Sequence, residues 1–162
     1  MSHKAVREFI GDIARSLRDD VKFGYGRSSD FNQIKDKKFP YIWLDPLSST
    51  TEINTDAGYT ISETYTCNLV FYRFDSPDST ENQYKLILDE TDKLVQEFIR
   101  KTNDDLTAYT ELSNTLNTHN TSISAISKQA VIKVMTDCLT GWVLTFNLTV
   151  PDTFDYCSEY DS

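Results

Sequence analysis

The sequence predicts an α+β fold, a mainly antiparallel sheet with two helices packed on one face, in the order α-β-β-(β)-α-β-β. Three observations carry this expectation. Apolar residues recur at intervals of three and four in only two stretches, 4–21 and 81–102. Apolar and polar residues alternate in long runs over 59–74 and 138–150, the mark of half-buried strands. Helical and strand patterns do not alternate along the chain, which argues against a doubly wound parallel sheet.

Each element follows from its own residues. In 4–21, Val6, Phe9, Ile10, Ile13, Leu17 and Val21 form one stripe, with Arg7, Glu8, Asp12, Arg15, Arg18 and Asp19 on the other side. Gly24 and Gly26 then open a glycine- and charge-rich stretch, 22–40, which reads as a loop. "YIWLDPL" is a short strand whose Pro46 places its end at an edge or exit. In 59–74, Tyr59, Ile61, Tyr65, Cys67, Leu69 and Phe71 share a face that Glu63 interrupts, opposite Thr60, Ser62, Thr64, Thr66 and Asn68. Fifteen residues at about 3.3 Å each span ~50 Å, so part of this strand is expected to project beyond the core. Asp78 and Glu81 have capping-box spacing and start a helix to about residue 102, buried through Ile87, Leu88, Thr91, Leu94, Val95 and Phe98. The threonine- and asparagine-rich stretch 103–122 reads as a second long loop. Two strands close the chain, around 123–136 and 138–150, joined tightly at Asp137-Cys138. On the last, Trp142, Leu144, Phe146, Leu148 and Val150 face the helices, and Pro151 ends the ladder by withholding an N–H. A chain of 162 residues fits a single domain, 1–162, with a real core.

Charge and side-chain chemistry exclude most activities. With 16 Lys+Arg against 25 Asp+Glu, the formal charge is -9. Tight nonspecific binding to nucleic acid needs the opposite sign, because cations must replace counterions along the phosphates. Cys67, Cys138 and Cys157 form no C-x-x-C and have no histidine at ligand spacing, so they read as structural thiols. His3 and His119 have no nearby acid, Cys or Ser signature. The carboxylate pairs Asp19-Asp20 and Asp104-Asp105 and the group Asp152, Asp155, Glu159 and Asp161 match no calcium-loop spacing. Glu63 stands alone as a nuclease-type acid and marks where the strand leaves the core. "GYGRSS" follows a helix and lacks the Gly-Lys-Ser/Thr of a phosphate loop. No catalytic, cofactor-binding or metal-ligating residue is assigned, and the reading is non-enzymatic. No signal-peptide pattern and no apolar run of about 20 residues is present, so the expectation is a protein made in a cytosol-like compartment with no membrane partner.

What remains distinctive is β surface without catalytic furniture. Exposed strand edges are a hazard that proteins either blunt or use for association, and ring assembly is one such use. The opening helix, "FPYIWLDPL", "YTISETYTCNLVFYRFD", "YKLILDETDKLVQEFI" and "ISKQAVIKVMTDCLTGWVLTFNLTVPDTFDYC" together resemble the layout of the tail terminator, or tail completion, proteins of tailed bacteriophages. The resemblance implies a small α+β subunit of a ring, commonly a hexamer, at the head-proximal end of the tail tube. Such a ring stops tube polymerisation and joins the head connector in the virion neck, after assembly in the host cytoplasm. It also implies that there are no catalytic residues, and that DNA passes through a lumen that acidic residues keep from adhering. The strand face with Thr60, Ser62, Thr64 and Thr66, Glu63 where the strand leaves the core, and the 103–122 stretch, would then lie near subunit or tube contacts. Phe154 and Tyr156, beyond Pro151, are free to dock on a neighbour. Two other readings stay open: a cytosolic adaptor or interaction domain, and an enzyme with an unrecognised site.

Overall fold

The structure is a computed structural model and describes residues 3–55, 60–112, 122–135 and 137–151. Its elements are α1 (His3–Ser16), β1 (Lys22–Tyr25), α2 (Ser28–Asn32), β2 (Tyr41–Leu44), β3 (Ser48–Asn54), β4 (Thr60–Phe74), α3 (Glu81–Leu112), β5 (Ser122–Val134) and β6 (Leu139–Pro151). They form a six-stranded sheet in the order β1-β2-β4-β6-β5, with β3 also paired to β4. Only β1 and β2 run parallel; every other pairing is antiparallel. This is the α+β class read from the sequence.

The central pair is β4 with β6, in continuous register from Ser62 opposite Pro151 to Phe74 opposite Leu139. Alternation then fixes two faces. Tyr65, Cys67, Leu69 and Phe71 of β4 and Leu144, Phe146, Leu148 and Val150 of β6 are fully or almost fully buried beneath α1 and α3. Each such large apolar side chain contributes about 1.5–3 kcal/mol by leaving water. α1 supplies Val6, Phe9, Ile10 and Ile13 to this core, and α3 supplies Leu94, Val95, Phe98 and Leu106. Trp142 packs at its margin and donates from its indole nitrogen to the Leu88 carbonyl at 2.9 Å.

Four expectations are corrected. The 22–40 stretch is not a loop throughout. It holds β1, whose Phe23 packs on the helix-side core, and α2, whose Phe31 is fully buried in a second cluster on the opposite face with Trp43, Val70, Tyr72 and Leu139. That short parallel strand is stabilised by its neighbour β2 and not by local propensity, so no alternation announced it. The 103–122 stretch is helical as far as Leu112, because the buried row Thr91, Leu94, Val95 and Phe98 continues through Thr102 and Leu106. Thr102 and Thr107 tolerate the helix by donating their hydroxyls to the carbonyls four residues back, at 2.7 and 2.8 Å. Residues 113–121 lie outside the described residues. Ser48–Asn54, to which the sequence reading gave no element, is itself β3. Finally, α1 ends at Ser16, with Leu17 and Val21 carried into the core on the turns that follow.

Candidate assembly surface

The face of the sheet opposite α1 and α3 changes character along β4. Val70 and Tyr72 face the aromatic cluster around Phe31, whose ring lies 5.2 Å from both Tyr41 and Trp43 and 5.4 Å from Tyr72. From Asn68 toward the start of the strand, the same face carries hydroxyls and amides. Register places Thr50, Thr64, Thr149 and Ser122 in one row across four strands. The next row is Ser48, Thr66, Asn147 and Ser124, followed by Asn68, Thr145 and Ser127. Side chains bond across the rows: Thr64 Oγ1 to Thr149 Oγ1 at 2.9 Å, Thr66 Oγ1 to Asn147 Oδ1 at 3.3 Å, and Thr145 Oγ1 to Asn68 Oδ1 at 2.8 Å. These pairs stabilise the ladder as cross-strand contacts do. These three rows leave an uncharged, hydrogen-bonding surface, bordered at the Ser62 row by the exposed Glu52.

Of the residues singled out in the sequence, Ser62, Thr64 and Thr66 meet on this face. Ser62 is buried between Glu52 and Pro151, and Thr66 is exposed. Thr60 pairs with Asn54 at the start of the strand. Glu63 points the other way, half-buried on the side that carries Tyr65, opposite Thr51 and Val150. Phe154 and Tyr156 lie outside the described residues. Sequence reasoning missed Ser48, Thr50, Ser122, Ser124 and Ser127. The polar run "SSTTEIN" has no apolar alternation to mark a strand, and β5 is mostly exposed.

β5 is the long margin of the sheet. Its thirteen residues pair only with β6 among the described residues, and most are exposed. Two bulges interrupt it, between Ser124 and Ser127 and between Val131 and Val134. Ala125 and Lys133 take positive φ there (52° each), and Ile126 and Ile132 stand 44% and 43% exposed. Bulges and lysines blunt an edge without closing it.

Titratable groups serve the packing. Burial pushes the Cys67 thiol up to about 12, so it is an inert core thiol. Burial raises Tyr72, and the Asp45 carboxylate raises it further; burial also raises Asp45. Both sit beside the aromatic cluster. His3 stacks edge-on against Tyr65 at 5.1 Å and approaches Ser49 Oγ at 3.4 Å. A groove of about 450 Å³ between α3, the end of β4 and the turn after α1 is lined by Arg18, Arg73 and Lys93 against Asp20, Glu90 and Glu97. Four of its charges pair with one another, Arg73 with Glu90 at 3.6 Å and Arg18 with Asp20 at 3.1 Å. Among the described residues, no group of three or more His, Cys, Asp or Glu could hold a metal ion, and no helix is long and apolar enough to cross a membrane. No protein-family model matches the chain, and no curated protein matches it significantly.

Proposed function

We propose that the protein is a structural virion component that closes into a ring, in the manner of bacteriophage tail terminators, and has no enzymatic role. The observation that carries this reading is the one-sided architecture. Both long helices cover one face, while β5 and the hydroxyl-rich rows of β3, β4 and β6 are left open on the other face and at the margin. A heterologous contact between two such surfaces generates a closed ring when the rotation between copies closes. The ring, a hexamer by the resemblance, would cap the tail tube and meet the head connector. DNA would pass through its lumen without specific binding, as the formal charge of -9 favours. Thr64 and Thr66 are the strand residues assigned to subunit or tube contact; Ser62, which is buried, is not.

Light scattering across a concentration series, with negative-stain imaging of the heaviest fraction, tests the proposal. A species of several copies with a central opening is expected. Monomers throughout, alone and with purified tail tubes, would overturn it. The adaptor reading draws on Phe74, which is 58% exposed beside Ile34 and Phe39. It predicts a monomer at every concentration.

A further inference from the structure

The margin of the sheet opposite β5 carries a second, different surface. Where β1 begins, a groove of about 290 Å³ has Phe23, Ile34 and Tyr41 in its walls and Lys22, Lys37 and Lys38 around them, with Asp36 as its one acid. Lys37 is committed to Asp137 at 2.6 Å. Lys22 and Lys38 are exposed, as is the adjacent Lys35, and none of the three has an ion-pair partner among the described residues. The groove therefore offers aromatic and aliphatic walls under uncommitted positive charge. An acidic peptide with aromatic side chains is its chemical complement.

The chain contains such a peptide. Residues 152–162, "DTFDYCSEYDS", carry four acids and no base, with Phe154, Tyr156 and Tyr160 interleaved. We infer that the groove beside β1 receives the 152–162 segment of a second copy of this chain.

Reach decides between the same copy and a second one. The groove lies at the Tyr41 level of the sheet, which register aligns with Tyr72 and so with Gly141 on β6. The segment leaves β6 at Pro151, ten residues further along. At about 3.3 Å per residue and about 4.8 Å per strand, the two points are ~35 Å apart. Phe154, Asp155 and Tyr156 extend at most about 18 Å from Pro151, and Tyr160 at most about 32 Å. Phe154, Asp155 and Tyr156 therefore cannot reach their own groove, and Tyr160 and Asp161 come to it only with every intervening residue fully extended. A neighbour's groove carries no such limit, and the contact is head-to-tail, so this inference rests on the ring reading and supplies its charge-specific link.

The test uses full-length chains. In one variant Lys22→Glu, Lys35→Glu and Lys38→Glu are combined; in a second, Asp152→Lys, Asp155→Lys and Glu159→Lys; a third carries all six. Circular dichroism and melting temperature, unmoved by these substitutions in the groove variant, confirm that it folds, and Lys→Gln replacements stand in if it does not. Light scattering should show loss of the assembly in the first two variants and its return in the third, where the charges are exchanged. Unchanged mass in the first variant would overturn the inference and leave the ring standing. If the unmodified chain is a monomer throughout, the ring reading falls, and fluorescence anisotropy of a labelled 152–162 peptide on the full chain decides the groove. Binding lost on the three lysine reversals supports it. No binding, binding indifferent to those reversals, or equal binding of a scrambled peptide overturns it.

Discussion

The Asp75 carboxylate is 2% exposed, and its environment is built for the charged form. Burial acts to raise it, but Thr140 Oγ1 donates at 2.7 Å, the Ser76 N–H donates at 2.8 Å, and the Lys133 charge is near, so the group sits below its ordinary value of 3.8. Thr140 Oγ1 in turn accepts the Lys133 N–H at 3.1 Å, which ties the carboxylate to the second bulge of β5. A folded value below the unfolded one stabilises the fold above about pH 3.8, and that contribution is lost as pH falls through the lowered value. Asp75→Asn should cost about 1–3 kcal/mol at neutral pH. Its urea midpoint should also fall less steeply than that of the unmodified chain below pH 4; parallel acid profiles would refute this. Tyr65 is the opposite case. Among the described residues its buried hydroxyl has no hydrogen-bond partner, and burial, together with the Glu63 carboxylate, holds the phenol far above its ordinary range. Tyr65→Phe removes an unsatisfied polar atom and should leave the melting temperature unchanged or higher. A clear drop would mean that the hydroxyl has a partner.

Among the elements, α3 begins with a reciprocal cap. The Thr80 N–H donates to Gln83 Oε1 at 2.8 Å, and the Gln83 N–H to Thr80 Oγ1 at 3.4 Å. The capping spacing read from Asp78 to Glu81 is thus two residues early; "TENQ" carries the same pattern and is the one used. Thr80→Ala should cost about 1 kcal/mol in chemical denaturation. β6 depends on one absent side chain. A Cβ on Gly141 would stand 1.7 Å from the Phe71 carbonyl oxygen, so Gly141→Ala must push β4 and β6 apart. We expect a loss of more than about 3 kcal/mol, beyond ordinary overpacking, read as insoluble or unfolded protein. Elements with long periodic stretches, α1, β4, the first two-thirds of α3 and β6, were legible in the sequence because each lays an apolar row on the helix-side core. β1, α2 and β3 were not. Phe31 is buried only because Trp43, Tyr41 and Tyr72 converge on it from two strands, and β3 is polar on both sides. The candidate surface was legible to the same degree. Alternation in β4 sorted Ser62, Thr64 and Thr66 from Tyr65 and Cys67, but the partners that extend them into rows come from registers no local pattern contains.

At the scale of the whole molecule, the two clusters share their strands. Leu69 and Phe71 point into the helix-side core, and Val70 and Tyr72, between and beyond them, into the aromatic cluster under α2. Neither face can open without breaking the ladder that also holds the other, so the sheet should unfold as one cooperative unit. The two tryptophans report the faces separately. Trp43 is 5% exposed in the aromatic cluster and donates to the Gly26 carbonyl at 2.9 Å, whereas Trp142 packs on the helix-side core and donates to Leu88. Trp43→Phe leaves Trp142 as the reporter, and Trp142→Phe leaves Trp43. Each substitution shifts stability by its own amount, so the comparison belongs within a variant: tryptophan fluorescence and far-ultraviolet circular dichroism should give the same urea midpoint in both. An earlier fluorescence midpoint in Trp142→Phe alone would show the α2 face opening before the sheet. That outcome would matter for assembly, because Phe31 and Ile34 anchor the segment that bears Lys35 and Lys38. A groove rim that melts independently could not hold a neighbour's charges in register, whereas one locked to β4 presents them preformed.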